Sequence, residues 1–198
     1  MEATRHLDLG CGNAPRNPYQ MDICFGCDIR NPNEIEALNK FEYKQVNLVL
    51  QPIPFPDSYF DSISAFDFIE HVPRQLVDGS GNLINPFVNL MSEIHRVLKP
   101  GGVLLAITPA YPRGEAFQDP THVNIITVKT HEYFVGEYPY ATAYGFKGRF
   151  EARRVEWGTA KSASQLHVPG WRKKLRNLHR TLFKSGLSHL VWELEAKK

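Results

Sequence analysis

The chain has few cysteines, little net charge and no long apolar run, and each absence narrows the class of protein. Three cysteines among 198 residues are an odd count, which argues against a disulfide-stabilised secreted domain. The net charge of +2 is too small to indicate nucleic-acid binding by itself. No apolar stretch approaches the ~20 residues that span a bilayer, and no basic segment with an apolar core marks a secretory signal. We therefore expect a cytoplasmic protein.

Two of the cysteines, Cys24 and Cys27, form a Cys-x-x-Cys pair, a spacing that occurs in zinc and redox sites. Zinc would need a second pair of ligands at a matching spacing, and the sequence contains none. A redox pair usually opens a helix, whereas these residues lie in a segment with the pattern of a strand. We interpret them as small apolar strand residues. The histidines are scattered and no acidic cluster accompanies them, so the sequence predicts no metal site.

Apolar segments that alternate with polar crossovers predict the fold class. They indicate an α/β fold with a parallel, doubly wound sheet. Predicted strands contain Leu7 and Leu9 or cover 23–29, 43–50, 60–66, 103–108, 149–157 and 189–197, and predicted helices cover 33–40 and begin at 86. We expect one domain over 1–198, in which 1–108 bind a cofactor, 109–148 form an acceptor lid, and 149–198 form a terminal strand pair with a basic helix inserted.

Polar or glycine residues follow four of the predicted strands. Ligands of open parallel sheets bind beyond the carboxyl ends of the strands, so these residues should share one ligand site. The first strand ends in a Gly-x-Gly turn, where a Cβ would block the approach of the backbone to a ligand. Asp28 follows the second strand, and its carboxylate can accept hydrogen bonds from both hydroxyls of a ribose. Asn47 and Leu48 suit the edge and face of an adenine, and Ala65 and Phe66 end the fourth strand.

In these residues the chain resembles the class I S-adenosylmethionine-dependent methyltransferases. The resemblance implies a Rossmann-like α/β fold with a doubly wound, mostly parallel seven-stranded sheet, helices on both faces and an antiparallel last strand. The match runs in order from about residue 6 to 108. It is carried by Leu-Asp-Leu-Gly-Cys-Gly at 7–12, Gly-Cys-Asp-Ile at 26–29, Pro-Phe-Pro-Asp-Ser-Tyr-Phe-Asp at 54–61, Phe-Ile-Glu-His-Val at 68–72 and Glu-Ile-His-Arg-Val-Leu-Lys-Pro-Gly-Gly at 93–102.

The resemblance implies that S-adenosylmethionine is the methyl donor and S-adenosylhomocysteine the product. Glycines of the loop would pass close to the methionine part, Asp28 would hold the ribose, Asn47 and Leu48 would contact the adenine, and Ala65 and Phe66 would lie near the sulfonium. The residues implied in cofactor binding are Asp8, Gly10, Cys11, Gly12, Asn13, Asp28, Ile29, Asn47, Leu48, Ala65 and Phe66.

The chain departs from the family pattern at three places. Ala14 stands where a third loop glycine is common, and Asn47 stands where the family usually has an acid. An amide oxygen can still accept a hydrogen bond from the adenine amine. Pro15 and Pro18 shorten the helix after the loop, as in a subgroup with a clipped first crossover. This missing helix also argues against NAD, whose pyrophosphate binds at a helix N-terminus.

Methyl transfer to a hydroxyl needs a base, and two histidines are candidates. His71 follows the fourth strand, close to the expected position of the methyl group; it would equally serve as a helix-start residue bonded to backbone. His122 lies in the loop after the fifth strand, where Asp119 could orient it. The alternative is that an Asp119–His122 hydrogen bond only holds the loop. His131 and Tyr111 are weaker candidates.

The acceptor is expected to be a small molecule or a sugar of a glycoconjugate, methylated on oxygen. This expectation rests on the aromatic residues of 111–146 and on the absence of an Asn-Pro-Pro-Tyr signature after the fourth strand, which makes nucleic acid unlikely as a partner. The alternatives are an RNA methyltransferase that uses the basic helix 171–184 and a catalytically silent cofactor-binding partner subunit. The same helix could contact a membrane surface peripherally, and the sequence does not reveal the oligomeric state.

Overall fold

A seven-stranded sheet forms the centre of the computed structural model, which describes residues 2–34, 41–159 and 187–198. The strands follow the order β3-β2-β1-β4-β7-β9-β8, and β5 and β6 form a separate hairpin. The strands are β1 (Arg5–Leu9), β2 (Ile23–Asp28), β3 (Glu42–Gln45), β4 (Phe60–Phe66), β5 (Leu76–Val77), β6 (Leu83–Ile84), β7 (Leu98–Pro109), β8 (Phe150–Gly158) and β9 (His189–Ala196).

The five strands from β3 to β7 in this order are parallel, whereas β9 runs antiparallel to both of its neighbours, β7 and β8. The prediction of a mostly parallel seven-stranded sheet with an antiparallel last strand is therefore confirmed. Leu9 pairs with Cys27 on one side and with Ala65 on the other. This register brings the ends of β1, β2 and β4 to one edge of the sheet, where the predicted ligand site should lie.

The helix that the apolar periodicity predicts from Pro86 is α1 (Pro86–Val97). Proline at the first helical position costs no hydrogen bond, because that amide has no partner inside the helix. The apolar face is buried as predicted, with Phe87, Leu90, Met91, Ile94 and Val97 in the core. The other α-helix of the described residues is the four-residue α2 (Glu115–Gln118), so a helical layer on both faces stays a prediction.

Several element bounds differ from the sequence-based expectation. The third strand ends at Gln45 rather than at residue 50, because residues 47–50 turn back on themselves, with hydrogen bonds to the Asn47 carbonyl from the amides of residues 50 and 51. No strand was predicted between residues 66 and 86, yet β5 and β6 lie there and pair around a turn held by Asp78. β7 begins at Leu98, five residues before the predicted start. The predicted helix 33–40 is described only to residue 34, in a 3-10 turn (Pro32–Glu34), and the basic helix 171–184 lies outside the described residues.

Residues 109–148, which we call the lid segment, contain short turns rather than strands. They include α2 and the 3-10 segments Thr130–Phe134 and Tyr140–Tyr144. Phe134 and Phe146 are buried in the main core, whereas Tyr138 is 85% exposed. The aromatic residues of the segment are thus divided between the core and the surface. No helix in the described part of the chain has the length and apolar character to cross a membrane.

Candidate functional site

The turn after β1 needs glycine at two positions, for different reasons. Gly10 and Gly12 have φ angles of +65° and +59°, in the left-handed region that glycine occupies without strain. A Cβ on Gly10 would lie 2.5 Å from a ring atom of Phe68, whereas a Cβ on Gly12 would have no atom within 4 Å. The amide of Gly10 also donates to the Cys27 carbonyl at 2.8 Å. Gly10 therefore lets the turn pack closely on Phe68 and β2, whereas the space beside Gly12 is open to a ligand.

Asp8, another predicted cofactor residue, is buried at the turn after β1. Its carboxylate accepts hydrogen bonds from the Ser64 hydroxyl at 2.5 Å and from the Arg16 amide at 2.8 Å. Burial raises the pKa of this carboxyl to about 6, against the lowering effect of these hydrogen bonds. Asp8 thus connects β1, β4 and the segment after the turn, and its effect on a cofactor would be through the position of the loop.

Asp28 presents its carboxylate at the end of β2. Oδ2 accepts a hydrogen bond from the Gly12 amide at 2.8 Å, and Oδ1 accepts one from the Arg30 amide at 3.1 Å. Each carboxylate oxygen can accept a second hydrogen bond. Two free acceptor positions beside the open space at Gly12 are what two neighbouring ribose hydroxyls require, so these residues fit the nucleoside part of S-adenosylmethionine.

Arg30 and Tyr43, which the sequence did not single out, support this end of the sheet. The Arg30 guanidinium donates to Asn13 Oδ1 at 2.9 Å, so the predicted cofactor residue Asn13 is held by a side chain from the segment after β2. The Tyr43 hydroxyl lies 3.2 Å from the Asp28 carbonyl and 2.7 Å from the Arg30 carbonyl. No local pattern distinguishes these two residues, because their contacts arise only when β1, β2 and β3 are side by side.

The other predicted cofactor residues differ in their accessibility. Ile29 is 64% exposed beside Asp28, whereas Cys11 and Ala65 are buried. Leu48 is also buried in the core, and Asn47 Oδ1 accepts a hydrogen bond from the Val49 amide at 3.1 Å. The second lone pair of this oxygen remains for an adenine amine.

Phe66 lies on the opposite face of the sheet from the main core. It packs against Leu105, Ile107 and Val191. The Arg16 guanidinium lies 4.5 Å from the centre of its ring, a cation–π contact. Phe66 is therefore covered by protein, and its predicted place near the sulfonium stays a prediction.

His71 and His122, which we call the imidazole pair, come together beyond β4 and β7. Their ring centres are 4.8 Å apart and their planes meet at 76°. Thr121 Oγ1 donates to Asp119 Oδ1 at 2.6 Å and lies 3.0 Å from His71 Nδ1. Because the hydroxyl has one proton, it accepts from His71, which therefore has its proton on Nδ1. Asp119 thus orients His71 through Thr121, and the hydrogen bond from Thr121 lowers the pKa of this carboxyl.

The second imidazole of the pair is held in the same tautomer. His122 Nδ1 lies 3.3 Å from the Ala116 carbonyl, to which only an N–H can donate. His122 Nε2 is 3.9 Å from Asp119 Oδ2, which is too long for a hydrogen bond. The predicted Asp119–His122 hydrogen bond is therefore not formed, although the three predicted catalytic residues do lie together. In both rings Nε2 has no hydrogen bond to the described residues.

Glu70, the neighbour of His71, is buried beside the pair. The Thr108 hydroxyl donates to Oε2 at 2.8 Å, and Oε1 has no hydrogen-bond partner among the described residues. Burial raises the pKa of this carboxyl to about 7. One oxygen of Glu70 and one nitrogen of each imidazole lie within 4.8 Å of one another. The scattered positions of these residues in the sequence concealed this grouping.

Asp67 and His189 form a second titratable pair, which sequence inspection missed. Asp67 follows β4 directly and has a φ of +48°, and its Oδ1 lies 3.1 Å from His189 Nε2. His189 begins β9, which pairs with the end of β7 at Pro109. The antiparallel direction of β9 therefore brings its first residue to the carboxyl edge of the parallel strands, beside the predicted methyl position.

A cavity of about 470 Å³ opens between α1 and the lid segment. Its volume is within the range of small-molecule sites. Arg74 joins its wall to the surroundings of the imidazole pair, because its Nε donates to Asn124 Oδ1 at 2.8 Å and its Nη2 donates to the Ile125 carbonyl. None of the predicted cofactor or catalytic residues lines the cavity. The lining residues are Arg74, Gln75, Asn85, Phe87, Val88, Thr127, Lys129, Thr130, Tyr133, Phe134, Ala141 and Tyr144.

Comparison with known proteins shows the family and the fold of the chain. The methyltransferase domain family matches residues 7–106, which are half of the chain. No curated protein matches the sequence. A methyltransferase-family structure of Archaeoglobus fulgidus, described as S-adenosylmethionine-dependent, is 17% identical with a TM-score of 0.59, and the alignment covers 98% of this chain and 86% of that one.

Two further structures show how widely this fold is used. A complex of the Haloferax volcanii Trm112 methyltransferase activator with a putative methyltransferase aligns at 16% identity and a TM-score of 0.61, over all of this chain and 84% of that one. The [4+2]-cyclase SpnF aligns at 16% identity and a TM-score of 0.57, over 98% of this chain and 76% of that one. At these identities the likeness concerns the fold, and the chemistry must be argued from the site.

Proposed function

The chain belongs to the methyltransferase domain family of S-adenosylmethionine-dependent methyltransferases, and from this premise we propose that it methylates an oxygen of a small-molecule or glycoconjugate acceptor. The observation that supports oxygen as the target is the imidazole pair. A hydroxyl must lose its proton at or near transfer, whereas a carboxylate or thiolate acceptor needs no base. His71 and His122 each have a free Nε2 beyond the ends of β4 and β7.

The cofactor supplies a methyl group that is already activated by a positive sulfur. The residues of this chain would bind the methyl donor, orient the acceptor and remove the proton of its hydroxyl group. Asp28 would hold the ribose hydroxyls, the Gly12 turn would leave room for the methionine part, and His71 or His122 would accept the hydroxyl proton on Nε2. Asp119 would act as a positioning residue, since it reaches His71 only through Thr121.

The cavity under the lid segment supports a small acceptor. Its wall combines aromatic rings with the cations Arg74 and Lys129 and with hydroxyl and amide groups, a mixture suited to a polar ring or sugar. Arg74 links this wall to the surroundings of the imidazole pair. The acceptor would thus place its reactive oxygen at the imidazole pair and another part of the molecule in the cavity.

Two measurements test the proposal in sequence. Calorimetry with S-adenosylhomocysteine should show one site per chain; a folded protein that does not bind it would exclude the proposed donor site. Release of S-adenosylhomocysteine should then be followed with panels of phenols, sugars, carboxylic acids and amines. Turnover only with amines or carboxylic acids would reject oxygen transfer through a base.

A panel of imidazole variants then identifies the base. Turnover of the best hydroxyl acceptor should be measured with His71→Ala, His122→Ala and His189→Ala. His189 is included because its pair with Asp67 at the same edge of the sheet is an alternative base. Loss of a base lowers kcat by about 10²–10⁴-fold. Normal turnover in both His71→Ala and His122→Ala would exclude the imidazole pair as the base.

The other functions have separate tests. An RNA methyltransferase should bind RNA in a strongly salt-dependent way, and changing Arg172, Lys173 and Lys174 to Glu should abolish that binding. These residues lie outside the described part of the chain, as does the helix 171–184 proposed for peripheral membrane contact. A silent partner subunit should bind the cofactor but show no turnover until a second protein is added, as the Haloferax complex with an activator suggests for a protein of this fold.

A further inference from the structure

We propose that Glu70, His71 and His122 bind one divalent transition-metal ion. Two imidazoles and one carboxylate are a ligand set used for zinc and for iron(II), with the remaining coordination positions left to water or substrate. One potential ligand atom from each residue lies within 4.8 Å of the others. The inference goes beyond the proposed function, since it concerns binding of an ion by the chain without donor or acceptor.

The buried carboxylate gives the first independent support. Glu70 is 1% exposed, and Thr108 occupies only one of its two oxygens. The other oxygen, Oε1, has no hydrogen-bond partner in the described residues. A buried carboxylate oxygen without a partner is costly, and coordination to a cation would satisfy it.

The hydrogen bonds behind the imidazoles give the second support. Histidine ligands usually donate their other N–H to a carbonyl, a carboxylate or another acceptor, which fixes the tautomer and the ring orientation. His122 has the Ala116 carbonyl in this position. His71 has Thr121, which is itself bonded to Asp119. Both rings thus keep Nε2 free, as metal binding requires.

The spacing requires a modest contraction. Zinc–nitrogen bonds of 2.0–2.1 Å in a tetrahedral site place the ligand atoms roughly 3.3 Å apart. Separations of up to 4.8 Å must therefore shorten by about 1.5 Å when an ion binds. His71 is half-buried, so an ion can reach the site from solvent.

An ion at this place would change the role of the imidazole pair. Both Nε2 lone pairs would be used for coordination, so neither ring would take a proton directly. A hydroxyl that joins the open coordination position would have its pKa lowered by the ion. The proton would then leave to solvent or to another base, such as the pair of Asp67 and His189 at the same edge of the sheet.

The test uses tag-free protein treated with a chelator and then dialysed, without donor or acceptor. Calorimetric titration with Zn²⁺ should show one site per chain, and Co²⁺ should give the visible d–d absorption of a site with low coordination number. Saturating Zn²⁺ should also raise the Tm by mass action. Absence of a stoichiometric site in folded protein, or saturation by Mg²⁺ alone, would overturn the proposal.

Variants separate this site from adventitious binding. Glu70→Gln keeps an acceptor for Thr108, and it should weaken Zn²⁺ binding beyond the ~100-fold typical of outer-shell changes; His71→Ala should do the same at a less buried position. Thr121→Val should weaken binding about 10–100-fold by releasing His71. His131→Ala, outside the site, is the matched control. Equal affinity of wild type, Glu70→Gln and His71→Ala would contradict the assignment, and calorimetry with S-adenosylhomocysteine reports independently on the donor site.

Discussion

The Phe68 ring occupies the space in which a side chain at Gly10 would lie, with 2.5 Å between the ring and the position of a Cβ. Gly10 belongs to the turn after β1 and Phe68 to the segment after β4. The contact shows that the glycine in the first turn is required by a neighbouring part of the protein as well as by its φ of +65°.

Gly10→Ala should destabilise the fold more than Gly12→Ala. Both changes put alanine into the left-handed region, at about 1–2 kcal/mol, and only the first also displaces Phe68, at roughly 1–3 kcal/mol. Urea unfolding should therefore show losses of about 2–5 kcal/mol for Gly10→Ala and about 1–2 kcal/mol for Gly12→Ala. Gly10→Ala should cost less stability when it is made in Phe68→Ala than when it is made in wild type, because the ring that it displaces is then absent. The same cost in both proteins would exclude the clash.

Asp28→Asn should weaken binding of S-adenosylhomocysteine at least about tenfold, or ~1.4 kcal/mol. The NH2 group of asparagine cannot accept a hydrogen bond. Whichever way the side chain is turned, this group would therefore replace one acceptor oxygen of Asp28 and leave a ribose hydroxyl, or the amide of Gly12 or Arg30, without its acceptor. Calorimetry measures the loss. Asp22→Asn is the matched control, because Asp22 precedes β2 at the opposite end and bonds to Thr4. Equal affinity of Asp28→Asn and wild type would place the ribose elsewhere.

The stability of the protein should depend on pH through the buried His6. Burial lowers the pKa of this imidazole to about 4, whereas in the unfolded chain it is about 6.5. The neutral ring therefore contributes its full stability above about pH 6.5, and this contribution is lost as pH falls toward 4. Compared with His6→Gln, which retains a donor for Ser64, wild type should lose about 3 kcal/mol more between pH 7 and pH 4.

Asp8 gives the opposite dependence of stability on pH, and it is present in both wild type and His6→Gln. Because its pKa in the fold is raised to about 6, protonation as pH falls favours the folded state. The difference between wild type and His6→Gln, measured by urea unfolding at several pH values, therefore isolates the imidazole. Parallel stability curves for the two proteins would show that His6 does not remain neutral in the fold.

Arg96→Lys should destabilise the protein although it keeps the positive charge. The guanidinium donates to the carbonyls of Ile53 and Phe55 and to the carboxylates of Asp57 and Glu93. An ammonium cannot reproduce these directed bonds, so we expect a loss of about 1–3 kcal/mol and faster proteolysis within 51–58. Arg153→Lys is the control, since Arg153 forms an exposed pair with Glu195 and should change stability by less than about 1 kcal/mol. Similar small losses in both would show that the Arg96 contacts contribute little.

The spacing of apolar residues was sufficient to predict those helices and strands whose pattern is complete within one segment of the chain. The apolar spacing of α1 and the run before Gly10 each determine an element, because burial of one face is specified by neighbours three, four or two positions away. The third strand was predicted too long, because apolar residues such as Leu48 also occur in a turn that packs onto the core. The hairpin of β5 and β6 was missed because two-residue strands have too few residues to show alternation.

The sequence by itself determined the family, the succession of the main strands along the chain, and the acid and glycines at their ends, since these features are encoded in short segments. Only the tertiary structure brought His71 to Thr121, fifty residues apart, and placed Asp67 against His189. It also enclosed Glu70 with one oxygen unpaired. Side chains from distant segments meet because parallel strands share a carboxyl edge and β9 enters that edge from the opposite direction, and no spacing along the chain records such a meeting.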